Sequence, residues 1–326
     1  MSRRVVRTPH MSVDIEKLVV GMQRKREAKG LSLRSLSSMI GVSFSSLARI
    51  ERREGQPDNN SIIRILEWLN SDGTELGLTF EKVALVHFRA EKNVKPKTMQ
   101  CLLQAADLLK RSYVPNPMEK NESPENDRQS DSSPPDGVTL SKPEMEAMAR
   151  QLRDAVSVDE TKKLDALSVR VSGVRVCTPS EVNGLSESSL AYLTSEGRND
   201  WSAMSVPLDA SNEHWAILRN DNHSIERQRV TYLEECWHIL LGHKLTKIAK
   251  ISDAYGRTYD SNEEHDAYYL AAATLLPEKA LAECVKKKES TAQIGLQFGA
   301  SPELVDYRIK RLGLWLKHKS RAITSV

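Results

Sequence analysis

Apolar side chains recur at intervals of three and four residues over most of the first 112 positions, which is the spacing of an amphipathic helix. The pattern predicts helices over 14–29, 33–40, 44–52, 61–69, 81–92 and 96–112. In the last of these, one face carries Met99, Leu102, Leu103, Ala106 and Leu109. The N-terminal part of the chain is therefore predicted to be mainly α-helical.

The pattern changes further along the chain. Helical spacing covers 142–171, short strand-like runs follow at 174–176, 204–208 and 214–219, and helical spacing resumes from 225. This order predicts an α+β region with a small sheet enclosed by helices. Residues 114–141 separate the two parts and are rich in Pro, Ser, Asn and acidic residues. Such a segment cannot bury enough apolar surface to fold, so we predict a flexible, disordered linker there.

Composition places limits on the class of protein. The chain has 326 residues, of which 39% are hydrophobic and 28% charged, which leaves room for about two or three domains. No apolar run approaches the roughly 18–20 residues of a membrane span, and the basic N-terminus lacks the apolar segment of a secretory signal. The four cysteines are scattered singly, as is usual in a reducing compartment. We expect a cytoplasmic protein with no membrane partner.

Residues 30–58 contain two short helical runs joined by a tight turn. Ser32 can cap the first of these helices, and after the turn at Gly41 the hydroxyl of Ser43 can cap the second. Leu36, Met39 and Ile40 are expected to face inward. Two helices at this spacing form the helix-turn-helix arrangement, in which the second helix enters the major groove of DNA.

The run MIGVSFSSLARIE resembles the XRE-type family of lambda repressor and Cro-like DNA-binding domains, over 14–69. The resemblance implies a DNA-binding domain at 1–78, followed by a helical extension at 79–113. By position, it implies that Phe44, Ser45, Ser46 and Arg49 face base edges and that Arg34, Arg52 and Arg53 meet phosphates. The predicted DNA-binding residues are Arg34, Ser43, Phe44, Ser45, Ser46, Arg49, Arg52 and Arg53. Members of the family often carry a DNA-contacting Gln where this chain has Leu33.

A second motif lies in the sequence TYLEECWHILLGH. The zinc-peptidase motif HExxH places two histidines one helical turn apart, with a glutamate between them as general base. In this register Glu234 replaces the first histidine, Glu235 takes the place of the base, and His238 is the second ligand. Taken alone, the pattern E-E-x-x-H is common on helices. His243 is predicted to pack outside the metal-binding face.

The surroundings of this motif give it more weight. RQRVT precedes it, EHDAYYLAAATLLP follows it, and the chain then reaches YRIKRLGL. Together these segments resemble the ImmA/IrrE-type metallopeptidase family over 142–316. The resemblance implies a zincin-like domain at 142–326 with a terminal helical piece. It also implies a third metal ligand at Glu264, with Asp266 as the alternative, and zinc or another divalent metal as cofactor.

The replaced histidine leaves two functions open. We predict a bacterial, phage or mobile-element transcription regulator that binds double-stranded DNA as a homodimer. Its ImmA/IrrE-like domain would act as a sensor or protein-interaction module, with impaired catalysis and with or without a bound metal. The alternative is an active metal-dependent endopeptidase that cleaves a repressor partner or its own linker, with Glu235 as the general base.

Overall fold

The structure is a computed structural model, and it describes residues 13–90, 94–114, 140–258 and 262–319. Most of the predicted linker at 114–141 lies outside these residues. The helices are α1 (Ile15–Ala28), α2 (Leu33–Ile40), α3 (Phe44–Glu51), α4 (Asn59–Leu69), α5 (Ser71–Glu75), α6 (Pro96–Arg111), α7 (Lys142–Ala155), α8 (Glu187–Thr194), α9 (Ile225–Leu240), α10 (Asn262–Leu275), α11 (Glu278–Lys286), α12 (Thr291–Phe298), α13 (Pro302–Arg311) and α14 (Trp315–Lys319). The strands are β1 (Lys82–Ala90), β2 (Val174–Cys177), β3 (Trp201–Pro207), β4 (Trp215–Arg219), β5 (Thr246–Ile251) and β6 (Ala254–Arg257).

The chain forms two compact units whose segments alternate along the sequence. Unit 1 consists of Met1–Leu108, Val182–Trp201 and Leu245–Asp260. Unit 2 consists of Leu109–Glu181, Ser202–Lys244 and Ser261–Val326. Each unit therefore draws on both sides of the predicted linker.

Helices α1 to α5 of unit 1 surround an apolar core. The core includes Leu18 of α1, Leu36 of α2, Leu47 of α3 and Ile63 of α4, all of which are buried. Local sequence sets the helix starts, because Asp14, Ser32, Ser43 and Asp58 each accept a hydrogen bond from a backbone N–H in the first turn of the following helix. The N-terminal part of unit 1 is helical, as predicted.

Unit 1 also contains three antiparallel strands in the order β1-β5-β6. Ala84 pairs with Ile248, and Ile248 pairs with Arg257. Helix α4 packs against β6, where Gly256 makes the approach possible: a Cβ at this position would lie 2.9 Å from the carbonyl oxygen of Asn59.

The predicted helix over 81–92 is wrong, because β1 occupies this segment, so the extension at 79–113 is not wholly helical. Buried Ala84, Val86 and Phe88 alternate along the strand, but Val83 and Leu85 on the other face are apolar too and hide the alternation. Helices do resume from 225, as predicted, but the hairpin of β5 and β6 between α9 and α10 was not predicted. Helix α6 is present, as predicted.

Unit 2 places helices around three strands in the order β2-β4-β3. Strand β2 runs parallel to β4, and β4 runs antiparallel to β3. Helix α10 packs against α7, α9 and α13, and its alanine-rich face is buried in the core. The α+β fold class is therefore confirmed for this part of the chain. None of the described helices combines the length and the apolar character needed to cross a membrane.

A buried ion pair joins three helices of unit 2. The Arg308 guanidinium on α13 donates through Nη2 to Glu146 Oε2 on α7 over 2.6 Å, and Tyr269 on α10 donates to Glu146 Oε1 over 2.6 Å. Arg308 Nε also donates to the carbonyl oxygen of Leu276. Burial is the main cause that raises the pKa of Tyr269 to about 12, and the hydrogen bond to Glu146 is the second. The Tyr269 hydroxyl therefore remains a donor at neutral pH.

Removing one partner of this pair should destabilise the protein strongly. Glu146→Ala leaves the Arg308 charge buried without its carboxylate, and we expect a loss of about 3–5 kcal/mol in the free energy of unfolding. Tyr269→Phe removes one hydrogen bond to a charged group and should cost about 1.5–3 kcal/mol. Urea unfolding of both variants measures the difference. Equal losses in the two variants would contradict a dominant ion pair.

Candidate functional sites

The turn between α2 and α3 has the geometry of a helix-turn-helix. Gly41 ends α2 in the left-handed conformation at φ 67°, and Ser43 caps α3 by accepting from the N–H of Ser46 over 3.1 Å. Arg64 on α4 donates to the carbonyl oxygen of Gly41 over 2.8 Å and so holds the turn. The predicted capping role of Ser43 is present in the structure.

An ion pair fixes the direction of α3. Arg26 on α1 donates to Glu51 at the end of α3, with Nε 2.7 Å from Oε1 and Nη2 3.3 Å from Oε2. Leu47 and Ile50 on the inner face of α3 are buried. Met39 differs from its prediction, because it is exposed and does not face inward. It lies one residue before the buried Ile40, on the outer side of α2.

The predicted DNA-reading side chains lie on the outer face of α3. Phe44 is 46% exposed, Ser45 and Arg49 are also exposed, and Ser46 is partly buried. The guanidinium of Arg34 on α2 lies 5.6 Å from the centre of the Phe44 ring. An arginine, an aromatic ring and small hydroxyls on one exposed surface suit contacts with base edges and phosphates.

Three of the predicted arginines lie at or beside the end of α3. Arg52 pairs with Glu54 through two hydrogen bonds of 2.9 and 2.8 Å, and Arg49 Nε donates to the carbonyl oxygen of Glu54 over 3.3 Å. The Arg52 hydrogen bond holds the pKa of Glu54 below its usual value, so Glu54 is charged at neutral pH. Arg53 follows with a positive φ of 60°. Because exposed ion pairs are weak, DNA phosphates can replace the Glu54 carboxylate as the partner of Arg52.

The second candidate site lies on α9 in unit 2. Ser224 caps this helix, and Glu234 and His238 lie one turn apart on the same face. Glu234, Glu235 and His238 are all buried. Cys236 is also buried but lies in the hydrophobic core, away from the candidate ligands. The structure thus places the three predicted motif residues on one helix with little access to solvent.

His243 lies directly against His238. Their Nδ1 atoms are 2.9 Å apart, and the rings meet edge to face with centroids 4.9 Å apart. After α9 the chain turns back at Gly242, which has a left-handed φ of 62°. The N–H of His243 then donates to the carbonyl oxygen of His238. If His238 Nδ1 donates, its Nε2 carries a lone pair that can bind a metal. His243 is then an orienting partner of the ligand.

Glu235 has a partner on the sheet. Ser205, a buried residue of β3, donates from its hydroxyl to Glu235 Oε2. All seven residues of β3 are buried. The carboxylate that would act as general base is therefore held in the interior by a strand. The sequence did carry one signal for this contact, since Ser205 is a polar residue within an apolar strand pattern.

Tyr307 on α13 is a partly buried tyrosine whose pKa is affected by the charge of Glu234. Its Oη is buried and has no hydrogen-bond partner among the described residues. Burial raises the pKa of Tyr307, nearby Arg311 opposes this, and the charge of Glu234 adds to the increase. Arg311 lies over the Tyr307 ring at 5.3 Å. No motif in the sequence pointed to this tyrosine.

The third metal ligand stays a prediction. Glu264 lies on α10, but its side chain is outside the described part of the structure, and Asp266 is buried. Among the described side chains, no three His, Cys, Asp or Glu residues form a group that could hold a metal ion. In chemical terms, one imidazole and two carboxylates suit zinc or a harder divalent cation. The residues therefore fit a metal only if Glu264 completes the set, because Asp266 is among the described side chains and forms no such group with Glu234 and His238.

Comparison with known families matches two parts of the chain. Residues 22–76 match a family model described as helix-turn-helix, and residues 198–310 match a peptidase family model described as an IrrE N-terminal-like domain. No curated protein and no solved structure matches the chain significantly. The chain therefore combines a helix-turn-helix region with an IrrE-like region, which confirms the predicted architecture.

The two classes of arginine should differ in their effects on DNA binding. If Arg49 meets a base edge as predicted, Arg49→Ala should relax selectivity at one base position at a cost of about 1–3 kcal/mol. Arg52→Ala should weaken binding to all duplexes alike. The slope of log K against log salt should fall by about 1, since one phosphate contact is lost. Selection from a random duplex library, followed by titration at several salt concentrations, measures both effects. Unchanged selectivity in Arg49→Ala would contradict its assignment to a base edge.

Proposed function

We propose that this protein is a sequence-specific transcription regulator whose IrrE-like region works as a sensor or protein-interaction module with impaired hydrolysis. The match at 22–76 supports DNA binding, and the exposed face of α3 supplies the side chains for it. A single small reader contacts few base pairs, so we expect a homodimer on a pseudo-palindromic site.

One observation carries the proposal of impaired hydrolysis. Glu234 holds the place of an imidazole ligand, while Glu235 is buried and accepts from Ser205. A metal with an additional anionic ligand would draw less electron density from a bound water, and the pKa of that water would fall less. A general base held in the interior is also poorly placed to meet a peptide substrate. The two effects act in the same direction.

The retained part of the site supports binding of a metal without efficient hydrolysis. His238 has an orienting partner in His243, and a hydroxyl from Tyr307 lies in the field of Glu234. When bound, a divalent metal would supply a positive charge that stabilises the buried carboxylates of α9. Glu234, His238 and Glu264 would hold it. In this arrangement the metal would stabilise the IrrE-like region as a module that binds a partner, without hydrolysing it efficiently.

Metal content of the full chain tests the site. The full chain is required because β5 pairs with β1, which lies before the linker. We expect His238→Ala and Glu264→Ala to remove the metal and His243→Ala to weaken its binding about 10–100-fold. His214→Ala is the matched control, since this histidine pairs with Asp209 in a loop before β4. Retention of metal in His238→Ala would contradict the assigned ligands.

Restoring the histidine separates the two candidate functions. If Glu234 is the cause of impairment, Glu234→His should bind zinc more tightly and gain cleavage of the chain's own linker or of a co-expressed repressor. That gain should disappear in Glu234→His with Glu235→Gln. Metal-dependent cleavage by the unchanged protein, abolished in Glu235→Gln, would instead establish the alternative function, an active endopeptidase. Mass spectrometry of the products measures both outcomes.

A further inference from the structure

A cluster of basic and apolar side chains lies at the end of unit 2, formed by the last turn of α11, the end of α13 and α14. Helix α14 packs against both α11 and α13, and His318 Nε2 lies 3.1 Å from the carbonyl oxygen of Glu289. We name this cluster the terminal basic surface. It consists of Lys286, Lys287, Lys288, Lys310, Arg311, Trp315, Leu316, Lys317 and Lys319.

The charge of the terminal basic surface is only partly compensated. Lys286 pairs with Glu283 and Lys310 pairs with Asp306, each over 2.6 Å. Lys287, Lys288 and Arg311 form no ion pair within the described residues, and all three are exposed. Several positive charges held this close repel one another, so an anionic partner would be attracted to them.

Two apolar side chains lie among these charges. Trp315 is 44% exposed and Leu316 is 61% exposed, both on α14. An indole beside lysines can pack on a sugar or donate its N–H to a phosphate while the ammonium groups meet neighbouring phosphates. The five residues of α14 are too few to form the broad apolar face of a membrane-surface helix.

We infer that the terminal basic surface binds the phosphate backbone of double-stranded DNA without reading its sequence. The inference rests on charge complementarity and on the helix-turn-helix region in the same chain. DNA held by that region is present at a high effective concentration for a second surface on one polypeptide. The terminal basic surface adds affinity and salt dependence, whereas α3 supplies selectivity.

The salt dependence of binding to a duplex of unrelated sequence tests this inference with the full-length protein. In the triple variant Lys287→Gln, Lys288→Gln, Lys319→Gln, the slope of log K against log salt should fall by about 0.9 for each phosphate that the protein no longer neutralises, or about 2–3 in all. The control triple variant Lys142→Gln, Lys162→Gln, Lys244→Gln removes the same charge from other exposed positions of unit 2. Its slope should stay that of the parent.

Two results would overturn the inference. One is an equal slope in the two triple variants. The other is a terminal variant that keeps the parental slope on DNA but no longer binds vesicles of anionic phospholipid, which would make a membrane the partner. The test does not depend on the reading of an operator, because Arg49→Ala in either background should leave the difference between the triple variants unchanged.

Discussion

The burial of Arg308 with Glu146 is the constraint on which the candidate site in unit 2 depends. A buried charge is tolerated only with a partner and further hydrogen bonds, and here the pair recruits Tyr269 and the carbonyl oxygen of Leu276. These interactions join α7, α10 and α13 into one framework beside α9. Because Tyr307 precedes Arg308 on α13, fixing the arginine also restrains the tyrosine, whose pKa is raised by burial and in part by the charge of Glu234.

Local signals explain which parts of the fold the sequence could predict. The α2–α3 turn depends on Gly41 and Ser43, whose roles are decided within a few residues, so its geometry was predictable. Strand β1 pairs with β5, which lies far beyond it in the chain. Its apolar residues fit a helix as well as a strand until that partner is known. The hairpin of β5 and β6 also lacks the Asn-Gly or Asp-Gly turn that marks such structures.

The candidate site in unit 2 also combines features that the sequence could predict with features that it could not. The shared face of Glu234 and His238 follows from helical spacing alone. Their neighbours do not, since Ser205 comes from a strand, His243 from a turn with a left-handed glycine, and Tyr307 from a distant helix. A motif therefore indicates which residues can act together, but the tertiary structure decides whether a carboxylate is a ligand, a base or a buried structural group.

The two sites place charge in opposite environments, and this difference bears on function. Arg49, Arg52 and Arg53 at the end of α3 are exposed, so water screens their charges and the pair of Arg52 with Glu54. Glu234 and Glu235 have already given up their hydration on folding, so the protein bears that cost whether or not a substrate is present. Ser205 offsets part of it through a hydrogen bond to Glu235. A buried carboxylate pair held in this way can respond to a cation, because a bound cation changes the stability of the surrounding helices. A site of this kind can bind a cation without admitting a peptide chain, as the proposed sensing role requires.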